Sequence, residues 1–216
     1  MMRFYTLILK ESDGSSNDKN AVNIITLEME VSQPQTVHIV RGPSGCGKTT
    51  FAKELRADII AEETSLFPNA PYITPQLLST DDFFTTKDGE YKFDPRMLSR
   101  AHTETISNAM SALKMGRDVI IANTFTNYWE VSPYLWMAQL AGASCIVYEP
   151  DFMDAINGSH RFWVTEDGRH ELENKLFDRC THGVPYETIE NHVLNFHHLE
   201  KSKLVSKVKQ FNTGLL

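Results

Sequence analysis

Short apolar runs alternate with longer helix-forming segments through most of this chain. The runs are bounded by turn-forming residues and are too short for helices, so they predict buried strands. These strands are expected at residues 36–41, 77–80, 119–122 and 144–148. The helices between them are expected from Lys48 to about Ala61, from Pro95 to Gly116 and from Tyr134 to Leu140. Strands that alternate with helices predict an α/β fold with a doubly wound, mainly parallel sheet and helices on both faces.

The first part of the chain has a different pattern. Residues 3–10 and 21–31 are β-prone, and a polar, turn-rich stretch separates them, which predicts an antiparallel β-hairpin. Pro34 follows the hairpin and ends this unit. We therefore divide the chain into an N-terminal β-hairpin extension, residues 1–35, and a core domain, residues 36–216.

The composition is that of an ordinary globular protein. Of 216 residues, 41% are hydrophobic and 23% are charged, which is sufficient for one core of substantial size. No apolar run approaches the roughly 18 residues of a membrane helix, and the first residues lack the apolar core of a secretory signal. We therefore expect a cytoplasmic protein without a membrane partner. The three cysteines form no C-x-x-C pair, which argues against a disulfide framework or a zinc site.

The formal net charge of −7 bears on the choice of partner. Proteins that bind duplex nucleic acid usually carry a basic face, because neutralised phosphates release counterions and so supply much of the affinity. The acidic balance of this chain therefore argues mildly against strong nucleic-acid binding.

Residues 42–49 carry the most informative motif. They read Gly-Pro-Ser-Gly-Cys-Gly-Lys-Thr, a full match to the phosphate-binding loop G-x-x-x-x-G-K-[ST], and they follow a predicted strand. The glycines allow backbone N–H groups to approach phosphate oxygens closely. We expect ATP to be bound by Gly42, Pro43, Ser44, Gly45, Cys46, Gly47, Lys48, Thr49 and Thr50. Within this set, Lys48 is expected to meet the β- and γ-phosphates, and the Thr49 hydroxyl to bind Mg²⁺.

Other motifs narrow the class of phosphate-loop protein. A GTPase would need a base-reading N-K-x-D, but the chain has Phe177 where that motif has aspartate. It also lacks a D-x-x-G metal loop and the L-S-G-G-Q signature of transporter ATPases. Small phosphate-loop kinases remain.

Polar side chains follow two of the predicted strands. Asp81 and Asp82 come after one strand, and Asn123 and Thr124 after the next. In a doubly wound sheet these ends meet the phosphate loop at the carboxyl edge, where ligands bind. A carboxylate there can orient an acceptor hydroxyl and take its proton, a role that we assign to Asp81. For Asp82 a capping role is an equally good interpretation.

A series of short motifs occurs in one order along the chain. They are Gly42 to Thr50, Leu78 to Phe84, Tyr91 to Pro95, Ala101-His102, Val119 to Thr124, Trp129-Glu130, Glu149-Pro150 and Arg179 to Pro185. In this combination the chain resembles the P-loop kinases related to phage polynucleotide 5′-hydroxyl kinase, over roughly residues 36–196. The core domain would then be a P-loop kinase domain.

This resemblance implies transfer of the ATP γ-phosphate, with Mg²⁺, to a hydroxyl acceptor. It places the catalytic aspartate at Asp81 and a lid arginine at Arg179, which with Lys48 form the expected catalytic set. The expected acceptor-binding residues are Asp82, Asn123 and Thr124. The chain departs from the family at Ala122, where relatives often carry aspartate, and at Phe125, where they often carry asparagine. Lys87 or Arg96 is a candidate for the acceptor-binding arginine that the phage enzyme carries and this chain lacks.

Several side chains have competing interpretations. Arg179 could instead pair with Asp178 or Glu173 on a solvated helix, and Arg161 and Arg169 compete for the lid role. The histidines near the C-terminus are interpreted as structural residues of a surface helix, and His182 as part of a turn. They are His192, His197 and His198. The aromatics Phe83, Phe84, Tyr128 and Trp129 could stack on a base but are more typical of a core.

The leading hypothesis is a kinase that phosphorylates the 5′-hydroxyl of a polynucleotide, possible partners being ATP and a single-stranded nucleic acid end. A kinase for a small metabolite or a nucleotide is the second hypothesis, and it suits the acidic balance better. The third is a non-catalytic ATP-binding adaptor, whose partner surface would be the N-terminal hairpin.

Overall fold

A computed structural model of the chain describes residues 4–7, 27–30, 34–66, 68, 73–149, 166–180 and 183–196. Backbone contacts divide the chain into two units, Met1–Pro34 and Gln35–Leu216. In the first unit, strands β1 (Phe4–Leu7) and β2 (Leu27–Glu30) pair antiparallel, as predicted for the hairpin. The turn between them and the other residues of the two predicted strands lie outside the described residues. The assignment of the two units as an extension and a kinase domain stays a prediction.

Four parallel strands form the sheet of the second unit, in the order β4-β5-β3-β6. They are β3 (Thr36–Arg41), β4 (Gln76–Leu78), β5 (Val119–Asn123) and β6 (Ser144–Tyr148). The central strand β3 pairs with β5 and β6, so that Val37 lies opposite Val119 on one side and Cys145 on the other. The predicted parallel sheet is confirmed.

Helices cover the sheet on two sides. They are α1 (Lys48–Leu66), α2 (Asp81–Phe84), α3 (Leu98–Lys114), α4 (Tyr128–Leu140), α5 (Glu166–Asp178) and α6 (Tyr186–Leu194), with a 3₁₀ turn at Pro95–Met97. Successive side chains of a strand point to opposite faces. Val40 and Ile120 therefore pack with Ala52 of α1, whereas Ile39 and Ile121 pack with side chains of α3 and α4. This arrangement confirms helices on both faces.

Three predicted boundaries were wrong. Helix α4 begins at Tyr128 rather than Tyr134, because the Asn127 N–H donates to the Glu130 carboxylate at 2.7 Å and starts the helix earlier. Helix α1 continues five residues beyond Ala61, to Leu66. Strand β4 ends at Leu78, because the chain turns there into α2.

None of the helices among the described residues combines the length and apolar character needed to cross a bilayer. The second unit is thus an open α/β sheet whose strands β3, β4 and β5 end at the same edge. The segments that follow these strands form the candidate site.

Candidate active site

The phosphate loop connects β3 to α1 and presses against α5. Gly45 and Gly47 have φ angles of +80° and +92°, a region that only glycine adopts readily. A Cβ atom at Gly45 would collide with the backbone carbonyl of Leu176 in α5, whereas one at Gly47 would have no described atom within 4 Å. Position 45 therefore requires glycine for two reasons and position 47 for one.

Replacement of Gly45 by alanine is expected to weaken ATP binding more than replacement of Gly47. Left-handed backbone costs a non-glycine residue on the order of 1–3 kcal/mol, and at Gly45 the clash with Leu176 adds to this. We expect Kd for ATP to rise by more than about 10-fold in Gly45→Ala and by less in Gly47→Ala, measured by titration calorimetry. Equal Kd values in the two variants would contradict the role given to the α5 contact.

The residues of the loop differ in exposure. Gly42, Pro43 and Cys46 are buried, Ser44, Gly45, Gly47 and Lys48 are half-buried, and Thr49 and Thr50 are exposed. The Lys48 ammonium folds back and donates to the Pro43 carbonyl at 2.9 Å. Burial lowers the pKa of Lys48, and the charge of the nearby Asp81 carboxylate opposes that shift. The loop thus holds a cation at its centre, on the side that faces Asp81.

Asp81 is the first residue of α2, directly after the turn that ends β4. Its backbone N–H donates to the Ser79 hydroxyl at 3.2 Å, and its Oδ1 accepts a hydrogen bond from the Tyr91 hydroxyl at 3.1 Å. Burial, together with the Asp81 charge, raises the pKa of Tyr91 well above its ordinary range. The phenol therefore stays protonated and fixes one carboxylate oxygen.

Asp82 has a local role in the same turn. Its side chain is exposed, and its Oδ2 accepts a hydrogen bond from the Ser79 N–H at 2.9 Å. This bond holds the end of β4 where the chain enters α2. The predicted contact of Asp82 with an acceptor stays a prediction.

Asn123, at the end of β5, supports the turn that carries Asp81. Its Oδ1 accepts hydrogen bonds from the Thr80 N–H at 2.9 Å, the Thr80 hydroxyl at 2.8 Å and the Ser79 hydroxyl at 3.3 Å. The amide is buried, and its Nδ2 has no hydrogen-bond partner among the described residues. Thr124 is half-buried, and its carbonyl accepts from the Gly42 N–H at 3.1 Å. These bonds bring the acidic pair and the phosphate loop to one place, as expected from the strand order.

Arg41, the last residue of β3, was not singled out from the sequence. Its side chain is fully buried and donates to the carbonyls of Phe125 and Thr126 and to the Glu149 carboxylate, each at 2.8 Å. The guanidinium also lies over the Phe196 ring, 4.4 Å from its centroid. The sequence did offer one signal for this role, because Arg41 is a charged residue at the end of an apolar strand. Arg41 ties together the segments that follow three strands.

Phe125 and Ala122 are the two residues at which this chain differs from the kinase family that it resembles. Phe125 is buried and has a φ angle of +42°, which is uncommon for any residue except glycine, asparagine and aspartate. Its ring packs edge-on against Tyr134, with centroids 5.0 Å apart. Ala122 is buried in the apolar cluster beneath α1. Both residues therefore have packing roles.

Helices α5 and α6 cover the phosphate loop. Leu172, Leu176, Ile189 and Val193 form one apolar cluster with Cys46 of the loop. Burial raises the pKa of the Cys46 thiol, and the cations of Lys48 and Arg179 oppose the shift. Arg179 is exposed just beyond the end of α5, and its predicted lid role stays a prediction.

The contacts of Glu173 bear on which arginine can serve as the lid, because Arg169 competes for that role and Arg179 could instead pair with Glu173. This buried carboxylate lies 3.3 Å from the Arg169 guanidinium and 3.0 Å from His170. Arg169 is therefore held within α5, and among the described residues no ion pair joins Arg179 to Glu173 or Asp178. Arg161 lies outside the described residues.

His192, one of the histidines interpreted as structural residues of a surface helix, lies in α6. Its side chain is half-buried, and its Nδ1 is buried without a hydrogen-bond partner among the described residues. Burial and the Lys48 cation lower the pKa of His192 to about 4, against the opposing charge of Glu130. The imidazole therefore lies within reach of the loop's cation. His182, His197 and His198 lie outside the described residues.

A shallow cavity of about 210 Å³, with two aromatic side chains in its lining, lies beside α2. It is lined by Phe83, Phe84, Thr85, Thr86, Lys92, Asp94 and Met97. Phe84 is buried and contacts Phe93, whose ring is 52% exposed. Trp129 is 71% exposed, so its expected place in the core was wrong. The two candidates for an acceptor-binding cation are both exposed, Lys87 in a turn and Arg96 in an ion pair with Asp94 at 2.8 Å.

The oxygen ligands available near the phosphate loop suit a Mg²⁺ ion that binds together with a nucleotide. No cluster of three or more His, Cys, Asp or Glu side chains converges on one point in the described parts of the chain. Mg²⁺ does not need one, since it usually keeps several waters and takes one or two protein oxygens plus substrate phosphates. The exposed Thr49 hydroxyl at the start of α1 is an oxygen ligand of this kind.

Comparisons with known proteins identify the family of this chain. A family model described as an AAA domain matches residues 37–156. Human NEDD4-binding protein 2 is 32% identical over 114 residues, which are 52% of this chain but only 6% of that protein. The chain thus spans a small part of the length of this relative.

Two solved structures are similar to parts of this chain. A chain of the Pnkp1/Rnl/Hen1 RNA repair complex superposes with a TM-score of 0.53 at 18% identity, over 77% of this chain and 45% of that one. A gluconokinase from Sinorhizobium meliloti gives a TM-score of 0.41 at 12% identity, over 82% of this chain and 91% of that one. The match to the repair complex confirms the α/β fold class.

Proposed function

The chain belongs to the AAA domain family and has a kinase-like P-loop fold, and from this premise we propose that it transfers the ATP γ-phosphate to the 5′-hydroxyl of a polynucleotide. One observation carries the proposal. Asn123 holds the Thr80 turn that leads into Asp81, and the next residue, Thr124, accepts from the Gly42 N–H of the phosphate loop, so that Asp81 and Lys48 are brought to the same edge of the sheet. A kinase needs this pairing, because one group meets the migrating phosphoryl and the other meets the acceptor.

On the nucleotide side, the loop amides and Lys48 would neutralise the charge of the triphosphate. Phosphoryl transfer is catalysed mainly by positioning and by electrostatic stabilisation of the equatorial oxygens. Arg179 lies on the lid side of the loop and would add its planar guanidinium from there. The Thr49 hydroxyl would help to hold Mg²⁺, which would supply further positive charge next to the phosphates.

On the acceptor side, Asp81 would orient the hydroxyl and accept its proton. Tyr91 already donates to Oδ1, so Oδ2 is the oxygen left for the acceptor. As the hydroxyl oxygen bonds to the γ-phosphorus, the bond from that phosphorus to the bridging oxygen of ADP breaks and the proton moves to Asp81. Asn123 supports this step indirectly, because it holds the Ser79–Thr80 turn from which Asp81 projects.

The cavity beside α2, which is lined in part by Phe83 and Phe84, supports the proposal of a nucleotide-like acceptor. Phe84 belongs to this cavity and packs against Tyr91, the residue that contacts Asp81. The half-buried Phe83 and the exposed Phe93 offer ring faces close to the proposed base. Nucleobases stack on such rings with little dependence on sequence, at about 1–3 kcal/mol per base.

The test is an acceptor panel with labelled γ-phosphate in ATP. We expect transfer to 5′-hydroxyl oligonucleotides of DNA or RNA with kcat/KM at least about 10-fold above that for nucleosides and sugar acids, because stacking adds to binding. The matched control is the same oligonucleotide with a 5′-phosphate, which has no hydroxyl to accept the label. Faster transfer to a small acceptor would contradict the proposed substrate.

A kinase for a small metabolite or a nucleotide is the second candidate. The net charge of −7 favours it, since a polynucleotide would meet a repulsive field away from the site. The same panel separates the two candidates. Tight ATP binding without transfer to any acceptor would instead support the non-catalytic adaptor.

A further inference from the structure

His192 is a buried titratable group that the proposed mechanism does not use. It lies in the last turn of α6, between Ile189 and Val193, which belong to the apolar cluster over the phosphate loop. Its Nδ1 atom is buried and has no hydrogen-bond partner among the residues that the structure describes. A buried polar atom without a partner is costly, and because α6 packs against Cys46 of the loop, a ligand bound there can supply the missing partner.

The charged groups around His192 come from several elements. Lys48 of α1 disfavours the imidazolium, and Glu130 of α4 favours it. On α5, Glu173 contacts the other end of α6 through the Tyr186 hydroxyl, at 3.4 Å, and is shared with Arg169 and His170. Burial and the Lys48 cation dominate, so the imidazole of the empty site is neutral near pH 7.

We propose that His192 is a further phosphate-binding residue, which takes up a proton from solvent when ATP binds to the loop. This inference rests on the proposed function, because it requires the triphosphate to lie against Lys48. The phosphates would bring several negative charges to the loop, and these would add to the charge of Glu130 and outweigh that of Lys48. The balance then favours the imidazolium, whose Nδ1–H can donate to a phosphate oxygen.

A histidine at position 192 avoids repulsion with Lys48 when no ATP is bound to the loop. A permanent cation at position 192 would repel Lys48 and destabilise the closed contact between α6 and the loop. A histidine is neutral while the loop is empty and becomes a cation once the phosphates have arrived. His192 would thus strengthen ATP binding without destabilising the protein alone.

The proposal fixes the sign of the pH dependence. The pKa of His192 is higher with ATP bound than without it, so binding takes up protons between the two values. The contribution of His192 to ATP affinity therefore grows as pH falls towards the lower pKa value. This contribution is lost as pH rises through the higher pKa value.

The experiment is titration calorimetry of the whole chain with ATP and Mg²⁺ near pH 6.5, in two buffers of different ionisation enthalpy. The difference in heat gives the number of protons bound per ATP. We expect the wild type to take up about 0.5–1 proton more than His192→Gln. The variant should also raise Kd by about 5–10-fold near pH 6.5 and by less than about 2-fold near pH 8.5. His170→Gln, which removes an exposed histidine of α5, is the control and should match the wild type.

The possible outcomes of this experiment separate the proposed role of His192 from the proposed kinase function. Equal proton uptake by the wild type and His192→Gln would overturn the proposal while ATP binding, and with it the proposed function, survived. Failure of the wild type to bind ATP would overturn both. Proton uptake that depends on His192, without phosphoryl transfer to any acceptor, would support this inference and overturn the kinase proposal.

Discussion

Replacement of Asp81 by asparagine is expected to lower kcat for phosphoryl transfer by about 10²–10⁴-fold, the usual contribution of a general base. Asparagine is isosteric and keeps an oxygen that can accept the Tyr91 hydrogen bond, so the turn should remain intact. What it loses is the basic oxygen that would take the proton of the acceptor. Kd for ATP should change by less than about 3-fold, because the hydrogen bonds of Asp81 among the described residues are to Ser79, Tyr91 and Thr85 and none is to the phosphate loop. Transfer is followed with labelled γ-phosphate, and ATP binding by calorimetry.

Asp88→Asn is the matched control for this variant. Asp88 is an exposed carboxylate seven residues further along, in the turn before Tyr91, and the same chemical change there should leave kcat close to that of the wild type. If Asp81→Asn retained full transfer, Asp81 would not be the base, even if ATP binding were unaffected.

Replacement of Arg41 by methionine is expected to lower the free energy of unfolding by about 3–5 kcal/mol, the cost of breaking a buried ion pair from one side. Methionine fills much of the same volume but leaves Glu149 and the carbonyls of Phe125 and Thr126 without their donor. In a domain of this size each kcal/mol shifts Tm by roughly 2–4 °C, so Tm should fall by about 10 °C. Calorimetry or circular dichroism measures the shift.

An exposed ion pair of equal length is the control. Arg96 and Asp94 also approach to 2.8 Å, but the Arg96 side chain is 87% exposed. Arg96→Met should leave Tm almost unchanged, because water screens an exposed pair. A double-mutant cycle of Arg41→Met with Glu149→Gln separates the ion pair from the two carbonyl contacts. A fall in Tm as small as that of Arg96→Met would show that the buried network contributes little.

The phosphate loop and the sheet could be predicted because their signals are local. The loop motif occupies consecutive residues, and its glycine positions are dictated by its own backbone. The strands were found because each is a short apolar run between turns, and their parallel pairing follows from the helices between them. The meeting of Asp81, Asn123 and the loop then followed from the topology alone.

Other features depend on partners that are far away in sequence. The hydrogen bonds of Arg41 join residues 84 to 108 positions apart, and no local pattern specifies them. His192 was interpreted as a structural residue of a surface helix, and the burial of its Nδ1 depends on how α6 packs, which no local pattern specifies. The start of α4 was missed for a different reason, since the Asn127 to Glu130 cap is a local signal that was overlooked.

The Arg41 network has a consequence for how this sequence can diverge. Two of its acceptors are main-chain oxygens, which every amino acid carries, so the side chains at positions 125 and 126 are not selected by that contact. Positions 149 and 196 contribute a carboxylate and an aromatic ring, and these depend on amino-acid identity. Evolutionary drift around the guanidinium should therefore be tolerated on the β5 side and restrained after β6 and α6, where a change at one position demands a compensating change at another.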